Sequence, residues 1–263
     1  YEFVFGDWSS YVCSSDLAEE GKGGAESVLA EGLIQNFPIR AAIALHVASE
    51  LPVGTASTKR GIFFGIPQEF DIRFFGRAAH VAFPEKGINA NAAGYRFLNA
   101  LEKEISLIEN TERVICNVGR IQGGSIRNII ADECILEGNH RSLKRDVRDS
   151  LNSIITKLAE HTANELGAKC KVDFHCSYDP VINDSTLVDV LEEVAQSQNV
   201  EFIPAQTAMT GEDFGFFSTL YPGLLFWLGS GAEHPLHSNK FLPQDECIQV
   251  GIDLFWGLIE HLK

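Results

Sequence analysis

The stretch from Phe70 to Cys176 constrains this chain most, because it holds the complete element order of a small α+β sandwich inside a longer sequence. Phe70 to Phe75 is a short apolar strand. Asn91 to Ile108 places Phe97, Leu98, Leu101, Ile105 and Ile108 at helical spacing. Val114 to Ile121 and Cys134 to Arg141 read as strands, separated by a turn at Gly123-Gly124 and by Asn128-Ile129-Ile130. Asp146 to Leu166 is a second amphipathic helix, with Val147, Leu151, Ile154, Ile155 and Leu158 on one face and Gly167 as its C-terminal cap. Val172 to Cys176 closes the series. The order β-α-β-β-α-β is that of a ferredoxin-like sandwich.

The flanks follow a different rule. Ala41 to Val47 and Leu224 to Leu228 are nearly continuous apolar runs, as strands buried on both faces require. Helical patterns surround them at Ala25 to Leu33, Ser185 to Ser197 and Asp245 to Leu262, and Thr210 with Asp213 has the spacing of a capping box opening another helix. The expected fold class is α/β. A catalytic α/β domain, formed by 18–64 and 179–263, is interrupted by an inserted ferredoxin-like α+β dimerisation (lid) domain at 65–178. Tyr1 to Leu17 lacks a Met start and sustained periodicity, resembles a translated library adapter, and is set aside as a non-native leader, so the catalytic domain is expected to be N-terminally truncated.

The formal charge of -15, from 36 acidic against 21 basic residues, argues against nucleic acid or an anionic membrane as partner. No apolar run approaches the roughly 18 residues of a membrane span. The six cysteines are scattered without a Cys-x-x-Cys pair, so they are expected to be reduced, mostly buried thiols of a cytoplasmic protein.

The chemistry concentrates in a few isolated polar residues. Glu19 and Glu20 open a Gly-rich turn, and two adjacent ionised carboxylates favour a nearby cation. His46 ends an apolar strand, where a neutral imidazole can bind metal. His237 follows the strand at Leu224 to Leu228; it is preferred over His234 because Leu236 and Phe241 are expected to bury its surroundings. His80 lies in the insert and suits hydrogen-bond donation to the oxyanion of a tetrahedral intermediate. Asn128 and Arg141, an amide and a guanidinium, suit an oxyanion or a substrate carboxylate. Taken singly, each is an ordinary polar residue; the signal lies in their company.

Together these segments resemble a metallopeptidase family of aminoacylases, succinyl-diaminopimelate desuccinylase and bacterial carboxypeptidases. The resemblance rests on Ala18-Glu19-Glu20-Gly21, Leu45-His46-Val47, Gly76 to Pro84, Gly123-Gly124 through Asn128, Gly138 to Arg141, Gly211-Glu212-Asp213-Phe214 and Leu236-His237. It implies Glu19 as general base and Glu20, His46 and His237 as metal ligands for two divalent ions (Zn, Co or Mn). It also implies that His80 reaches the active site of the partner subunit in a homodimer built from the insert, with Asn128 and Arg141 on the substrate, a small N-acyl amino acid. The stretch Ala208 to Gly215 is most similar to the branch that deacetylates N-acetyl-diaminopimelate in lysine biosynthesis, which sets the expected activity. A general aminoacylase or a carboxypeptidase is the alternative, and the truncated chain by itself is expected to be an inactive dimerising fragment. Family members carry a further N-terminal part with a Cys-or-Asp and His metal pair, and this sequence lacks the Gln-Pro usual before Ala-Glu-Glu, having Asp16-Leu17 instead.

Overall fold

The computed structural model describes residues 24–32 and 34–262. Glu19, Glu20, Cys13 and the 1–17 leader therefore lie outside the described residues. The chain divides into two compact units, one formed by Gly65–Tyr178 and the other by the sequence on either side of it.

The flanking unit begins with α1 (Gly24–Ala30), β1 (Ala42–Ala48), β2 (Thr55–Thr58) and β3 (Gly61–Phe64). Residues 65–178 contribute β4 (Ile66–Phe75), α2 (Ala90–Ile108), β5 (Ile115–Gly123), β6 (Glu133–Ser142), α3 (Arg145–Glu165) and β7 (Lys169–Ser177). The chain then returns to the first unit with β8 (Val181–Asn183), α4 (Ser185–Ser197), β9 (Glu201–Pro204), α5 (Gly215–Ser218), β10 (Gly223–Gly229) and α6 (Glu246–Leu262).

Strand β10 organises the first unit. Alternate residues leave it on opposite faces, and both faces are covered. Leu224, Phe226 and Leu228 pack with Leu187, Val188, Leu191 and Val194 of α4 and Leu254 and Leu258 of α6. Leu225 packs the other way, with Phe63, Phe64, Val181 and Phe214. Two apolar faces explain why this strand reads as an unbroken hydrophobic run. Its parallel neighbour β1 pairs with it along its whole length, from Ala42 opposite Gly223 to Ala48 opposite Gly229. Except at Ala48, β1 is only half-buried, short of the burial expected on both faces, because no described strand pairs with its other side.

On the remaining side of β10, two strands share the position. β8 touches one end at Gly223 and the antiparallel β2 touches the other at Trp227 and Leu228. The gap between them falls at Leu225, and the buried Asn183 amide closes it. Its Oδ1 accepts from Leu225 N at 2.8 Å, and its Nδ2 donates to Leu225 O at 2.9 Å and to Thr58 Oγ1 at 2.8 Å. A side chain thus does what a ladder would do, so the buried backbone groups stay paired.

The unit at 65–178 is a four-stranded antiparallel sheet in the order β5-β6-β4-β7, with both helices contributing to one core. Burial alternates strictly along β4, with Ile66, Phe70, Ile72 and Phe74 inward and Glu69, Arg73 and Phe75 exposed. Asn89 caps α2, accepting from Asn91 N and Ala92 N, and Gly167 follows α3 at φ +65, the left-handed conformation that a helix stop requires.

One inward position of this sheet is polar. His140 on β6 is fully buried and its Nε2 lies 2.7 Å from Asn152 Oδ1 on α3, while Nδ1 has no partner. Desolvation pushes its pKa below the ordinary 6.5, opposed by the Asn152 hydrogen bond and reinforced by Arg148. Below pH 6.5 the unfolded chain therefore binds a proton that the folded unit resists, and stability falls with pH by up to about 1.4 kcal/mol per pH unit. In His140→Gln this part of the slope disappears between pH 7 and 5.5. Urea midpoints at the two pH values check it, and identical slopes for both proteins would refute it.

Five cysteines are described, all as thiols: Cys134 and Cys247 are buried and Cys116, Cys170 and Cys176 half-buried. Burial pushes the Cys116 thiol up to about 12, so it stays protonated and unreactive. Among the described residues no helix is long and apolar enough to cross a membrane.

Candidate active site

The parallel pair β1 and β10 sets the location. In open α/β sheets the carboxyl ends of parallel strands face the crevice where ligands bind. His46 is the penultimate inward turn of β1, two residues before its end, opposite Trp227 of β10. The loop carrying His237 follows β10, and it is stitched to the same edge. Ser230 N donates to Ala48 O at 3.0 Å, Gly231 N to Leu51 O at 3.0 Å, and Leu236 N to Ser49 Oγ at 3.2 Å. The residue beside His237 is thus bonded to a residue three positions beyond His46.

The geometry of His46 suits a metal ligand. Its Nδ1 lies 2.8 Å from the Val47 carbonyl, and a carbonyl can only accept, so Nδ1 carries the proton and Nε2 keeps its lone pair. A hydrogen bond from the second ring nitrogen to a carbonyl is the usual support of a metal-bound imidazole. His237 is one of two non-glycine residues with positive φ, at +68. Pro235 O accepts from Ser238 N at 3.0 Å, which makes His237 the third residue of a turn that favours glycine there. Holding a histidine in that conformation costs of order 1 kcal/mol, a cost that clusters at functional sites. The ring is exposed and Leu236 and Phe241 are half-buried, so the burial expected around it is not found. His234, its rival, is exposed too.

Among the described residues no group of three or more His, Cys, Asp or Glu is placed to hold a metal ion. The donors that are described, two imidazoles at one strand edge with one nitrogen of His46 already committed, fit a divalent ion. Glu20, which would complete the set, lies outside the described residues.

Sequence spacing misassigned Asp213. Thr210 caps no helix; α5 starts at Gly215, with Phe214 at its N-cap and no side-chain hydrogen bond there. The Asp213 carboxylate instead accepts from Ala25 N in the first turn of α1, at 2.9 Å. Local spacing cannot reveal a partner 188 positions away.

In the 65–178 unit, His80 and Asn128 come together. Residues 79–81 and 128–130 form a short antiparallel pair: Val81 N donates to Asn128 O at 3.1 Å, Ile130 N donates to Ala79 O at 2.8 Å, and His80 bridges Ile129. Both side chains are exposed. Ala82 N donates to His80 Nδ1 at 3.1 Å, so a neutral His80 ring carries its proton on Nε2 and presents a donor outward. Arg141 is elsewhere. It sits half-buried near the end of β6, opposite Pro67 and Ile115, with its Nε donating to Asn139 Oδ1 at 3.2 Å. Glu133, at the other end of β6, pairs with Phe75, and Gly76 N bonds to Asp132 O, which puts the His80–Asn128 pair beyond that end. Eight strand residues separate the two ends, roughly 27 Å at about 3.4 Å per residue.

Comparison with known proteins agrees with this arrangement. The chain is 34% identical over 244 residues to an N-acetyldiaminopimelate deacetylase of Oceanobacillus iheyensis, covering 92% of this chain and 66% of that protein. It is 36% identical over 246 residues to an N-acetyldiaminopimelate deacetylase of Bacillus subtilis, covering 91% of this chain and 65% of that protein. The chain therefore spans about two thirds of the length of these relatives. Among solved structures, a dinuclear metal binding peptidase from Bacillus subtilis superposes with a TM-score of 0.78 at 25% identity, covering 93% of this chain and 63% of that one. The sequence profile of peptidase family M20/M25/M40 matches residues 15–261, nearly the whole chain, and the chain belongs to that family.

Proposed function

We propose that this chain is the larger part of a metal-dependent amidohydrolase that removes the acetyl group from N-acetyl-diaminopimelate. The observation that carries the reading is His46, whose Nδ1 is committed to the Val47 carbonyl and whose Nε2 is left for a metal at the carboxyl edge of β1. Similarity to deacetylases at 34% and 36% identity supports the substrate.

Glu20, His46 and His237 hold two divalent ions (Zn, Co or Mn), together with ligands from outside the described residues. Such ions supply Lewis-acid polarisation of the amide carbonyl and lower the pKa of water. Glu19 takes the water's proton and returns it to the departing nitrogen. His80 Nε2–H donates to the developing oxyanion, the role its tautomer suits. Asn128 supplies an amide donor and Arg141 a guanidinium for the substrate carboxylate.

A small amino-acid substrate cannot bridge the roughly 27 Å between Arg141 and the His80–Asn128 pair. That separation supports a homodimer, in which His80 serves the site of the partner subunit and residues 65–178 act as the dimerisation and lid domain. The outer edge of β5 supports the same reading. It has no strand partner among the described residues, and Ile115 and Ile121 on it and Tyr95 on α2 are exposed. The opposite edge strand, β7, carries Lys169 and Lys171, which discourage pairing. The protein works in the cytoplasm on a small molecule, without nucleic acid or membrane.

The test is hydrolysis by the protein extended with its upstream gene sequence. N-acetyl-diaminopimelate is expected to turn over at least tenfold faster than N-acetyl amino acids or dipeptides, and chelation followed by Zn, Co or Mn is expected to abolish and restore activity. Faster cleavage of dipeptides would move the assignment to a carboxypeptidase, and activity that survives chelation would end it.

A further inference from the structure

Asp213 is presented from a rigid platform. Phe214 beside it is buried with Phe63, Phe64, Val181 and Leu225. Gly215 lies so near the Asp179 carbonyl that a Cβ there would come within 1.9 Å of the oxygen. Gly215 N donates to Glu212 O at 3.1 Å and Phe216 N to Asp213 O at 3.0 Å, closing the turn. From this support the carboxylate reaches Ala25 N at 2.9 Å.

The recipient is a weak element. α1 has only seven residues, too few to persist through helix propensity alone. Its first amides have no acceptor within the helix. The preceding Gly21-Lys22-Gly23 contains no side-chain acceptor to cap it. A carboxylate near a helix start also meets the positive end of the peptide dipoles. Five and six residues upstream of Ala25 stand Glu20 and Glu19.

We propose that Asp213 is a positioning residue for the acidic pair, fixing the start of α1 and through it the reach of Glu20 and Glu19. The effect on metal binding rests on the hydrolase reading above; the tether between Asp213 and α1 does not. Two quantities separate them: hydrogen exchange of the α1 amides, and affinity for Co2+ read by its visible absorption.

In Asp213→Ala, exchange of the Ala25 to Val28 amides is expected to rise about tenfold, the size of a lost helix cap, with β1 and β10 unchanged. Co2+ affinity is expected to fall about tenfold at an unchanged melting midpoint. Asp213→Asn, which keeps an acceptor oxygen, is expected to recover most of both. Unchanged exchange and affinity in Asp213→Ala overturn the proposal. Faster exchange with unchanged affinity also overturns it, leaving Asp213 as a cap alone. If Asp213→Ala does not fold, Asp213→Glu shifts the carboxylate by one methylene and reads the same quantities, and unchanged values there overturn it. A wild-type chain that binds no Co2+ removes the metal reading and the positioning role together, whereas a persisting exchange response retains the tether.

Discussion

Replacing Glu19 with Gln in the upstream-extended protein is expected to lower kcat by 100-fold to 10,000-fold, the usual range for a lost general acid–base group. Gln keeps the size and hydrogen-bonding capacity of Glu but cannot take a proton at neutral pH. Metal content is expected to stay at the wild-type level, because the ligand role belongs to Glu20. The residual rate should also lose the acidic limb of its pH profile, since the group that must be deprotonated is gone. Metal titration alongside steady-state kinetics checks both halves. A Glu19→Gln protein with more than a tenth of wild-type kcat would refute the assignment of the base. A variant that has lost its metal would instead make Glu19 a ligand.

Truncating Phe226 to Ala is expected to destabilise the flanking unit by about 3–5 kcal/mol. The side chain is fully buried in the middle of β10, with its ring 6.0 Å from that of Phe255 on α6. Its removal leaves a void between the sheet and the α4/α6 layer that stiff neighbours fill poorly. The residues 65–178 have a separate core built on Phe70, Phe74, Phe97 and Leu136, which Phe226 does not join. Urea unfolding followed by fluorescence and far-UV circular dichroism is therefore expected to show one transition moving down by about 1–3 M, for a slope of 1–3 kcal/mol/M, and another staying in place. A shift below about 1 kcal/mol, or equal shifts of both transitions, would show that the cores are not independent.

The elements that were legible in the sequence share one property: each is long enough to display its period. The helix at Ser185 to Ser197 is found at those residues, and the helices read at Asn91 to Ile108 and Asp146 to Leu166 are found at Ala90–Ile108 and Arg145–Glu165. β10 announces itself because two covered faces demand apolar residues at every position. Strands β2, β3, β8 and β9 have only three or four residues each, too short for an alternating pattern to stand out from a loop. They exist because β10 and its neighbours offer them partners, a non-local condition that no window of sequence contains.

The candidate site divides in the same way. Chemistry named its members: isolated histidines, paired carboxylates, an amide and a guanidinium are visible one residue at a time. Their sequence shows nothing of the His46 tautomer, which depends on the position of a carbonyl, or of the strained turn under His237, which depends on where the loop must return to β1. It suggested a helix cap at Thr210 to Asp213, where folding turned the carboxylate to α1 instead. It grouped Asn128 with Arg141, which strand register places at opposite ends of β6. Residue type and period are properties of the chain itself, so they determined the two kinds of layer and the candidate ligands. Distance and direction arise only when remote segments pair, so the tertiary structure alone decided which of those residues meet.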